Sequence, residues 1–158
     1  MSINDSEIFV RMATNKDCEN VQNLVFGILN DYGLQSSPEG VDQDIFDIEE
    51  NYIKRGGTFE VLEDENGDLL GTVGLYPLDE KRIELRKMYF VKEIRGKGLG
   101  KETLQRMIDF ARENGFEQMT LETASVLKEP IGLYEKFGFI ESQDKHAPRC
   151  DKAFYLNL

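Results

Sequence analysis

The sequence predicts a mixed α/β domain whose elements follow the order β-α-α-β-β-β-α-β-α-β-β. The first observation behind this prediction is length, because 158 residues suffice for one domain with its own core, here residues 1–158. The second is composition, since 40% apolar and 10% aromatic residues are typical of a folded globule. The third is a hydrophobic period that switches along the chain between the strand and helix values.

The first half of the chain predicts one strand and two helices. The run IFVRMA (8–13) alternates as a strand does, and Thr14 with Asp17 three residues later resembles a capping box. Apolar residues at helical spacing then predict a first helix: Val21, Leu24, Val25, Ile28 and Leu29. Residues 36–57 predict a loop and a second helix with a buried stripe of Val41, Ile45, Ile48 and Tyr52.

The second half predicts six strands and two helices. Two strands, TFEVLED and LLGTVGLYPL, flank Asn66-Gly67, the strongest short hairpin signal. The strand RIELRKMYFV follows, then a helix over 98–114, the strand EQMTLET and the short helix EPIGLYEKFG. The chain closes with the strands FIES and DKAFYLNL. We expect the last strand to be exposed, so that it could pair two chains into a homodimer.

Charge and cysteine usage narrow the function classes. The net charge is −11, but residues 1–80 carry −14 and residues 81–158 carry +3. This asymmetry fits an anionic ligand bound to the second half, or simply a solvated acidic surface on the first half. The negative net charge of the whole chain disfavours nucleic acid as a ligand. The sequence shows no long apolar run and no signal sequence, which predicts a cytoplasmic protein without membrane contact. Cys18 and Cys150 do not have the spacing of a metal site, so we expect free thiols and no metal.

Residues 95–101, RGKGLGK, place three glycines and three cations between a strand and a helix. A helix N-terminus presents unpaired N–H groups and a partial positive charge, and glycines let an anion approach that backbone closely. The stretch therefore predicts a phosphate or pyrophosphate site, although an ordinary glycine-rich turn with solvated cations has the same composition. It lacks the spacing of a Walker loop and of the dinucleotide fingerprint Gly-x-Gly-x-x-Gly.

Two stretches resemble the GCN5-related N-acetyltransferase (GNAT) family. The segment ELRKMYFVKEIRGKGLGKETL contains that family's Arg-x-x-Gly-x-Gly loop after its central strand, and LETASVLKEPIGLYEKFGF ends in its Leu-Tyr-Glu-Lys-x-Gly-Phe signature. The resemblance covers nearly the whole chain and implies a mostly antiparallel central sheet flanked by helices. It also implies an enzyme that transfers acetyl from acetyl-CoA to a primary amine of a small molecule or protein.

The resemblance implies which residues bind the coenzyme. Backbone groups near the end of the central strand should pair with the pantetheine arm, and the loop should hold the pyrophosphate. The residues concerned are Met88, Tyr89, Phe90, Arg95, Gly96, Lys97, Gly98, Leu99, Gly100 and Lys101. Three positions depart from the family pattern, since Lys92 replaces a common Pro, and Leu127 and Pro130 replace a common Asn and Ala. An acetyl-CoA-binding sensor or interaction module without turnover is the alternative function.

Three residues are the catalytic candidates. By the resemblance, the hydroxyl of Tyr134 points at the coenzyme sulfur and acts as the general acid. Glu84, on the central strand with Arg86, Met88 and Phe90 on the same face, is the first candidate for a base that deprotonates the amine. Glu122, at the end of the next strand, is the second candidate. The sequence leaves open which of the two carboxylates assists, and direct attack in a ternary complex needs no covalent acetyl carrier.

The acceptor site is predicted only in outline. We expect it between the segment 30–55 and the loop 141–150. The only histidine, His146, lies in that loop and is interpreted as a surface residue. The acidic run Asp42, Asp44, Asp47, Glu49 and Glu50 could attract an amine, and a solvated helix face explains it equally well.

Overall fold

The computed structural model describes residues 7–145 and 147–158. Its strands are β1 (Phe9–Met12), β2 (Thr58–Glu63), β3 (Leu69–Pro77), β4 (Arg82–Phe90), β5 (Gln118–Thr123), β6 (Ile140–Ser142) and β7 (Lys152–Asn157). Its α-helices are α1 (Cys18–Asp31), α2 (Leu99–Glu113) and α3 (Lys128–Lys136). Short 3₁₀ turns occur at Asn15–Asp17, Gln43–Phe46 and Lys92–Ile94. The predicted mixed α/β fold is thereby confirmed.

The seven strands form one sheet in the order β1-β2-β3-β4-β5-β7-β6. Every neighbouring pair is antiparallel except β4 and β5, which are parallel. The prediction that the last strand is an exposed edge is wrong, because β7 lies between β5 and β6. The side of β7 that faces away from β5 is paired with β6 along residues 153–155.

Two apolar clusters cover the two faces of the sheet. On one face, α2 and α3 pack against β3, β4 and β5 around fully buried Leu104 and Met119. On the other face, α1 packs with Ile45, Ile48 and Tyr52 over β2. The predicted capping box is present, since Thr14 accepts from the Lys16 amide and Asp17 accepts from the Thr14 amide. The sheet is therefore buried on both sides.

The predicted second helix is the one element that the structure changes. Its place is taken by the 3₁₀ turn Gln43–Phe46 and a single π-helical turn, Glu49–Ile53. The apolar stripe is still buried, with Ile45, Ile48 and Tyr52 fully inaccessible. Asp42 and Asp44 occur in the same stretch and are buried by ion pairs with Lys87 of β4. The helical spacing of apolar residues predicted that the stripe is buried, but not that it lies in 3₁₀ and π-helical turns.

Two features of β4 open the sheet. Its parallel pairing with β5 ends at Glu84 and Thr120, although both strands continue beyond this point. Its register with β3 also shifts, because Thr72 pairs with Tyr89 and Gly74 pairs with Arg86. This bulge is centred near Lys87, which has φ +55°. A bulge places one extra residue in a strand and re-aims the side chains that follow it.

Candidate functional site

The glycine loop and the end of β4 form one wall of a cleft of about 400 Å³, here called the glycine-loop cleft. The opposite wall is the N-terminal part of α3, with Tyr32 at one end. Of the ten residues predicted to bind the coenzyme, nine line it: Met88, Tyr89, Phe90, Arg95, Gly96, Gly98, Leu99, Gly100 and Lys101. Lys97 is exposed and lies outside the lining.

The loop has the backbone geometry that an anion site requires. Gly96 and Gly98 have φ of +78° and +82°, values that side-chain-bearing residues avoid. Gly98 is the N-cap of α2 and makes no side-chain cap, so the first N–H groups of a 15-residue helix face the loop. The ammonium of Lys101 is in the first turn of that helix. These groups together fit a pyrophosphate, whose charge they would oppose.

Arg95 has a structural role that sequence reasoning missed. Its Nε donates to the Phe90 carbonyl at 2.9 Å, and its Nη1 donates to the Tyr32 hydroxyl at 3.1 Å. The guanidinium also lies 5.6 Å from the centre of the Tyr32 ring. Arg95 therefore holds the loop against β4 and the end of α1. The Phe90 carbonyl, one of the backbone groups at the end of the central strand that could contact the coenzyme, already accepts one hydrogen bond from Arg95.

A second space of about 430 Å³, the interstrand pocket, occupies the opening between β4 and β5. All three catalytic candidates, Tyr134, Glu84 and Glu122, line it. Segments from both predicted acceptor regions contribute, including Leu34 and Val41 from one and Ala147, Arg149 and Cys150 from the other. The structure thus brings together residues that lie far apart in the sequence.

Tyr134 packs within the core of the α2–α3 face. Its ring lies 5.7 Å from the ring of Phe139 and 6.3 Å from that of Phe154, between centroids. Burial raises the pKa of its hydroxyl well above the usual value, and the nearby Tyr89 and Cys150 raise it further. The hydroxyl of Tyr134 is therefore protonated at neutral pH and is able to donate a hydrogen bond into the pocket.

The two candidate carboxylates are both engaged. Glu84 accepts a short hydrogen bond from Arg86, whose guanidinium stacks 3.8 Å over the Tyr76 ring. Glu122 accepts from the Ala147 amide at 3.0 Å, so it holds the loop before β7. The predicted surface residue His146 lies outside the described residues.

The bulge overturns one detail of the predicted site. Simple alternation would place Met88 and Phe90 on the face of Glu84 and Arg86. Instead, Met88 packs against the α2–α3 cluster and Phe90 approaches Gly100 of α2, whereas Tyr89 packs on the α1 side. The extra residue in the strand reverses the alternation. As a result Met88 and Tyr89 face both spaces.

Sequence reasoning missed the ion pairs beside the interstrand pocket. Asp42 and Asp44, both buried, contact the ammonium of Lys87 at 3.1 Å. Arg149 makes a bidentate pair with Asp42 at 2.6 and 2.7 Å. Burial alone would raise the pKa of Asp42, but Arg149, Lys87 and the Ser37 amide together lower it. One indication was visible in the sequence, because Lys87 occupies the next alternate position of the strand after the apolar residues Ile83 and Leu85.

The two spaces meet. Met88, Tyr89, Leu127 and Pro130 line both of them. Leu127 and Pro130, two of the positions that depart from the family pattern, therefore lie at the junction. A ligand in the glycine-loop cleft can reach one in the interstrand pocket at this place. The arrangement suits a transfer between two bound molecules.

Comparisons with known proteins agree with this geometry. A sequence profile described as "Acetyltransferase (GNAT) family" matches residues 25–139. The uncharacterised N-acetyltransferase YjgM of Escherichia coli K12 is 35% identical over 136 residues, which are 82% of this chain and 80% of YjgM. N-acetyltransferase 8B of Homo sapiens and the probable N-acetyltransferase camello of Xenopus tropicalis are longer, and the chain spans about half of their length.

Solved structures share the fold. A GNAT-family acetyltransferase from Staphylococcus aureus Mu50 superposes with a TM-score of 0.89 at 23% identity, covering 96% of this chain and 99% of that one. YncA, described as a putative acetyltransferase from Salmonella typhimurium with its cofactor acetyl-CoA, gives 0.73 at 22% identity, covering 95% and 93%. Among the described residues, no helix combines the length and hydrophobicity that crossing a bilayer requires.

Proposed function

Because the chain belongs to the GNAT family of acetyltransferases, we propose that it transfers acetyl from acetyl-CoA to a primary amine by direct attack in a ternary complex. The observation that carries the proposal is the junction of the two spaces at Met88, Tyr89, Leu127 and Pro130. A coenzyme and an acceptor bound side by side need no covalent intermediate. The predicted cytoplasmic location is part of the same proposal.

Acetyl-CoA would bind in the glycine-loop cleft. The amides around Gly96 and Gly98, with Lys101, would hold the pyrophosphate at the start of α2. Backbone groups of Met88 to Phe90 would pair with the pantetheine amides as an added strand does. A backbone N–H near the β4 bulge would then face the thioester carbonyl, where negative charge develops during attack. The coenzyme supplies the activated acetyl group.

The acceptor must lose a proton before it attacks. A lysine-like amine has a pKa of about 10.4, so its neutral form lies roughly 4–5 kcal/mol above the ammonium at pH 7. Glu84 and Glu122 line the pocket that would hold it. Glu84 precedes Met88 by four residues, about 13 Å of extended strand, so it would take the proton through water. Glu122 would orient that water or the amine.

Tyr134 would assist the departure of the coenzyme thiolate. A thiol has a pKa near 8.5, so full proton transfer from even an ordinary tyrosine is uphill by roughly 2 kcal/mol. Burial raises the pKa of Tyr134 and makes complete transfer less favourable still. We therefore assign to its hydroxyl a hydrogen bond that stabilises the thiolate as it forms, and the final proton can come from the attacking amine.

The proposal is tested by amine-dependent thiol release from acetyl-CoA. Purified protein is screened with polyamines, amino acids, aminoglycosides and peptide amines, with Tyr134→Phe beside it. We expect the variant to lose at least about tenfold in turnover, within the range of acid–base assistance, while acetyl-CoA binding is unchanged. Tyr155→Phe is the matched control, because Tyr155 lines neither space.

Two other outcomes would contradict the proposal in different ways. Tight acetyl-CoA binding without release for any amine would favour the alternative of a sensor or interaction module. Failure to bind acetyl-CoA at all would remove the assignment of the glycine-loop cleft itself.

A further inference from the structure

A buried group of ion pairs joins the segment before β2 to the loop before β7. Its members, Asp42, Lys87 and Arg149, are here called the clasp. Asp42 is completely inaccessible, and the side chains of Lys87 and Arg149 are 5% and 11% exposed. Both oxygens of Asp42 accept from Arg149, and the Ser37 amide adds a third bond at 2.7 Å. A bidentate arginine–carboxylate pair is strong and fixes orientation as well as distance.

The loop that carries Arg149 is also held on either side of it. The Ala147 amide donates to Glu122 at 3.0 Å. Asp151 accepts from the Ser125 amide at 2.7 Å and from the Ser125 hydroxyl at 2.6 Å. The clasp is therefore the middle one of three attachments, and it joins this loop to the segment 34–44 across the pocket, where Arg149 also donates to the Gln35 carbonyl at 3.4 Å.

Opening the clasp would leave buried charges without partners. Removing one partner of a buried ion pair destabilises far more than removing a surface pair such as Arg82–Asp79. Two cations, Lys87 and Arg149, share Asp42, so its loss would affect both. Separating the loop from the segment 34–44 would therefore carry a large cost in free energy.

A closed clasp changes what the interstrand pocket can accept. Leu34 and Val41 form one wall and Ala147, Arg149 and Cys150 form the other, so the two walls are tied together. A lysine inside a protein needs a groove open at both ends, since even ten extended residues span roughly 33–36 Å. A pocket of about 430 Å³ is of the size that holds small molecules.

We infer that the acceptor is a small-molecule amine, and that the clasp of Asp42, Lys87 and Arg149 excludes lysines within protein chains. This inference rests on the proposed function and makes the substrate class narrower. It also makes Arg149 and Asp42 specificity-determining residues that act through the shape of the pocket.

The first test compares one amine in two contexts. The small acceptors of the screen are run beside Nα-acetyl-lysine methylamide and an 11-residue peptide with the same lysine at its centre. We expect at least one small amine to exceed every peptide by roughly tenfold or more in kcat/KM. A peptide whose kcat/KM lies within about tenfold of the best small amine, or above it, overturns the inference and leaves the acetyltransferase standing. No turnover with any amine removes the proposed function and the inference with it.

The second test opens the clasp with Arg149→Met. We expect a higher KM for the best small amine, a smaller change in kcat and a reduced preference over the peptide. The variant should still bind acetyl-CoA, because no clasp residue lines the glycine-loop cleft. Hydrogen exchange should quicken in the segments 35–46 and 147–151 together.

Arg106→Met is the matched control for this test. Arg106 pairs with Glu60 at 3.2 Å and lines neither space. We expect it to keep the small-amine KM and the peptide ratio of the unchanged protein. If Arg149→Met folds, binds acetyl-CoA and also keeps both values, the clasp does not select the acceptor and the inference is wrong.

Discussion

Gly98 combines a local conformation and a binding role in a single residue. It has φ +82° and precedes the first turn of α2, whose N–H groups we assign to the pyrophosphate. We expect Gly98→Ala to lower the free energy of unfolding by about 1–2 kcal/mol, because a side chain is strained at this φ. The same strain would turn the loop amides away from the ligand, so acetyl-CoA affinity should fall. Denaturant unfolding and calorimetric titration measure the two effects.

The control for this prediction is Gly27→Ala. Gly27 lies on the exposed side of α1, and an added methyl group there meets nothing within 4 Å. Alanine in a helix is favoured over glycine, so stability should rise by about 0.5–1 kcal/mol with acetyl-CoA affinity unchanged. If Gly98→Ala binds as well as Gly27→Ala, the loop does not hold the coenzyme as proposed.

At the residue scale the sequence predicted the coenzyme side better than the acceptor side. Glycine at positions 96 and 98 is needed by the local backbone, and a local requirement can be recognised in a short stretch. Lys87 is different, because its partners Asp42 and Asp44 lie more than 40 positions away. Nothing near Lys87 specifies them. Its position in alternation with the apolar residues Ile83 and Leu85 indicated that Lys87 is buried, but not which carboxylates it pairs with.

At the scale of elements, β4 shows where periodic patterns fail. Strict alternation predicts which face a side chain occupies only while the register is unbroken. The bulge near Lys87 reverses the faces of Met88 and Phe90, and it is stabilised by contacts outside the strand. One such contact is the hydrogen bond of 2.7 Å from the Thr72 hydroxyl to the Lys87 carbonyl. The bulge is thus a product of tertiary structure, which a pattern within the strand does not contain.

The attachment of the segment before β2 should depend on pH. The folded pKa of Asp42 is lowered, since Arg149, Lys87 and the Ser37 amide outweigh burial. The stability that Asp42 contributes is therefore fully present above its unfolded pKa, about 3.9, and is lost as the pH falls through the lower folded value. We expect Asp42→Asn to destabilise by about 3 kcal/mol or more at pH 7 and by progressively less below pH 4.

Urea unfolding of both proteins across pH 3–7 measures this difference. Asp68→Asn makes the same chemical change at an exposed position in the β2–β3 hairpin and should alter stability little. A gap between Asp42→Asn and the unchanged protein that stays constant down to pH 3 would mean that Asp42 does not contribute through its charge.

At the scale of the whole molecule, the structure divides the acidic run that the sequence left ambiguous. Asp42 and Asp44 are buried and paired, whereas Asp47 and Glu50 are exposed. The first pair is bound to Lys87 and Arg149, which line the interstrand pocket, and the exposed residues contribute to the acidic surface. The solvated interpretation therefore applies to Asp47 and Glu50, and only the fold shows that Asp42 and Asp44 are instead buried in ion pairs. Composition gives the total charge of the chain but does not show which charged residues are buried.

The charge of the molecule leads to a prediction about salt. The cations lining the interstrand pocket each have a carboxylate partner, in the pairs Arg82–Asp79, Arg86–Glu84, Lys87–Asp44 and Arg149–Asp42. Their charges cancel locally, so at longer range an approaching amine experiences the net charge of −11. A cationic acceptor should therefore concentrate near the protein at low ionic strength. Added salt should remove this advantage, since the Debye length falls from about 30 Å at 0.01 M to about 10 Å at 0.1 M.

We therefore expect the KM of the best acceptor to rise several-fold between 0.01 and 0.3 M NaCl, within the range of surface electrostatic effects, with little change in kcat. An analogue of the acceptor with one positive charge fewer is the control, and its KM should rise less steeply because the field acts on a smaller charge. Repeating the measurement with a salt of a different anion separates this screening from competition between the anion and acetyl-CoA at the glycine loop. Equal slopes for the two acceptors would mean that pocket contacts, and not the field of the whole protein, govern how the amine is captured.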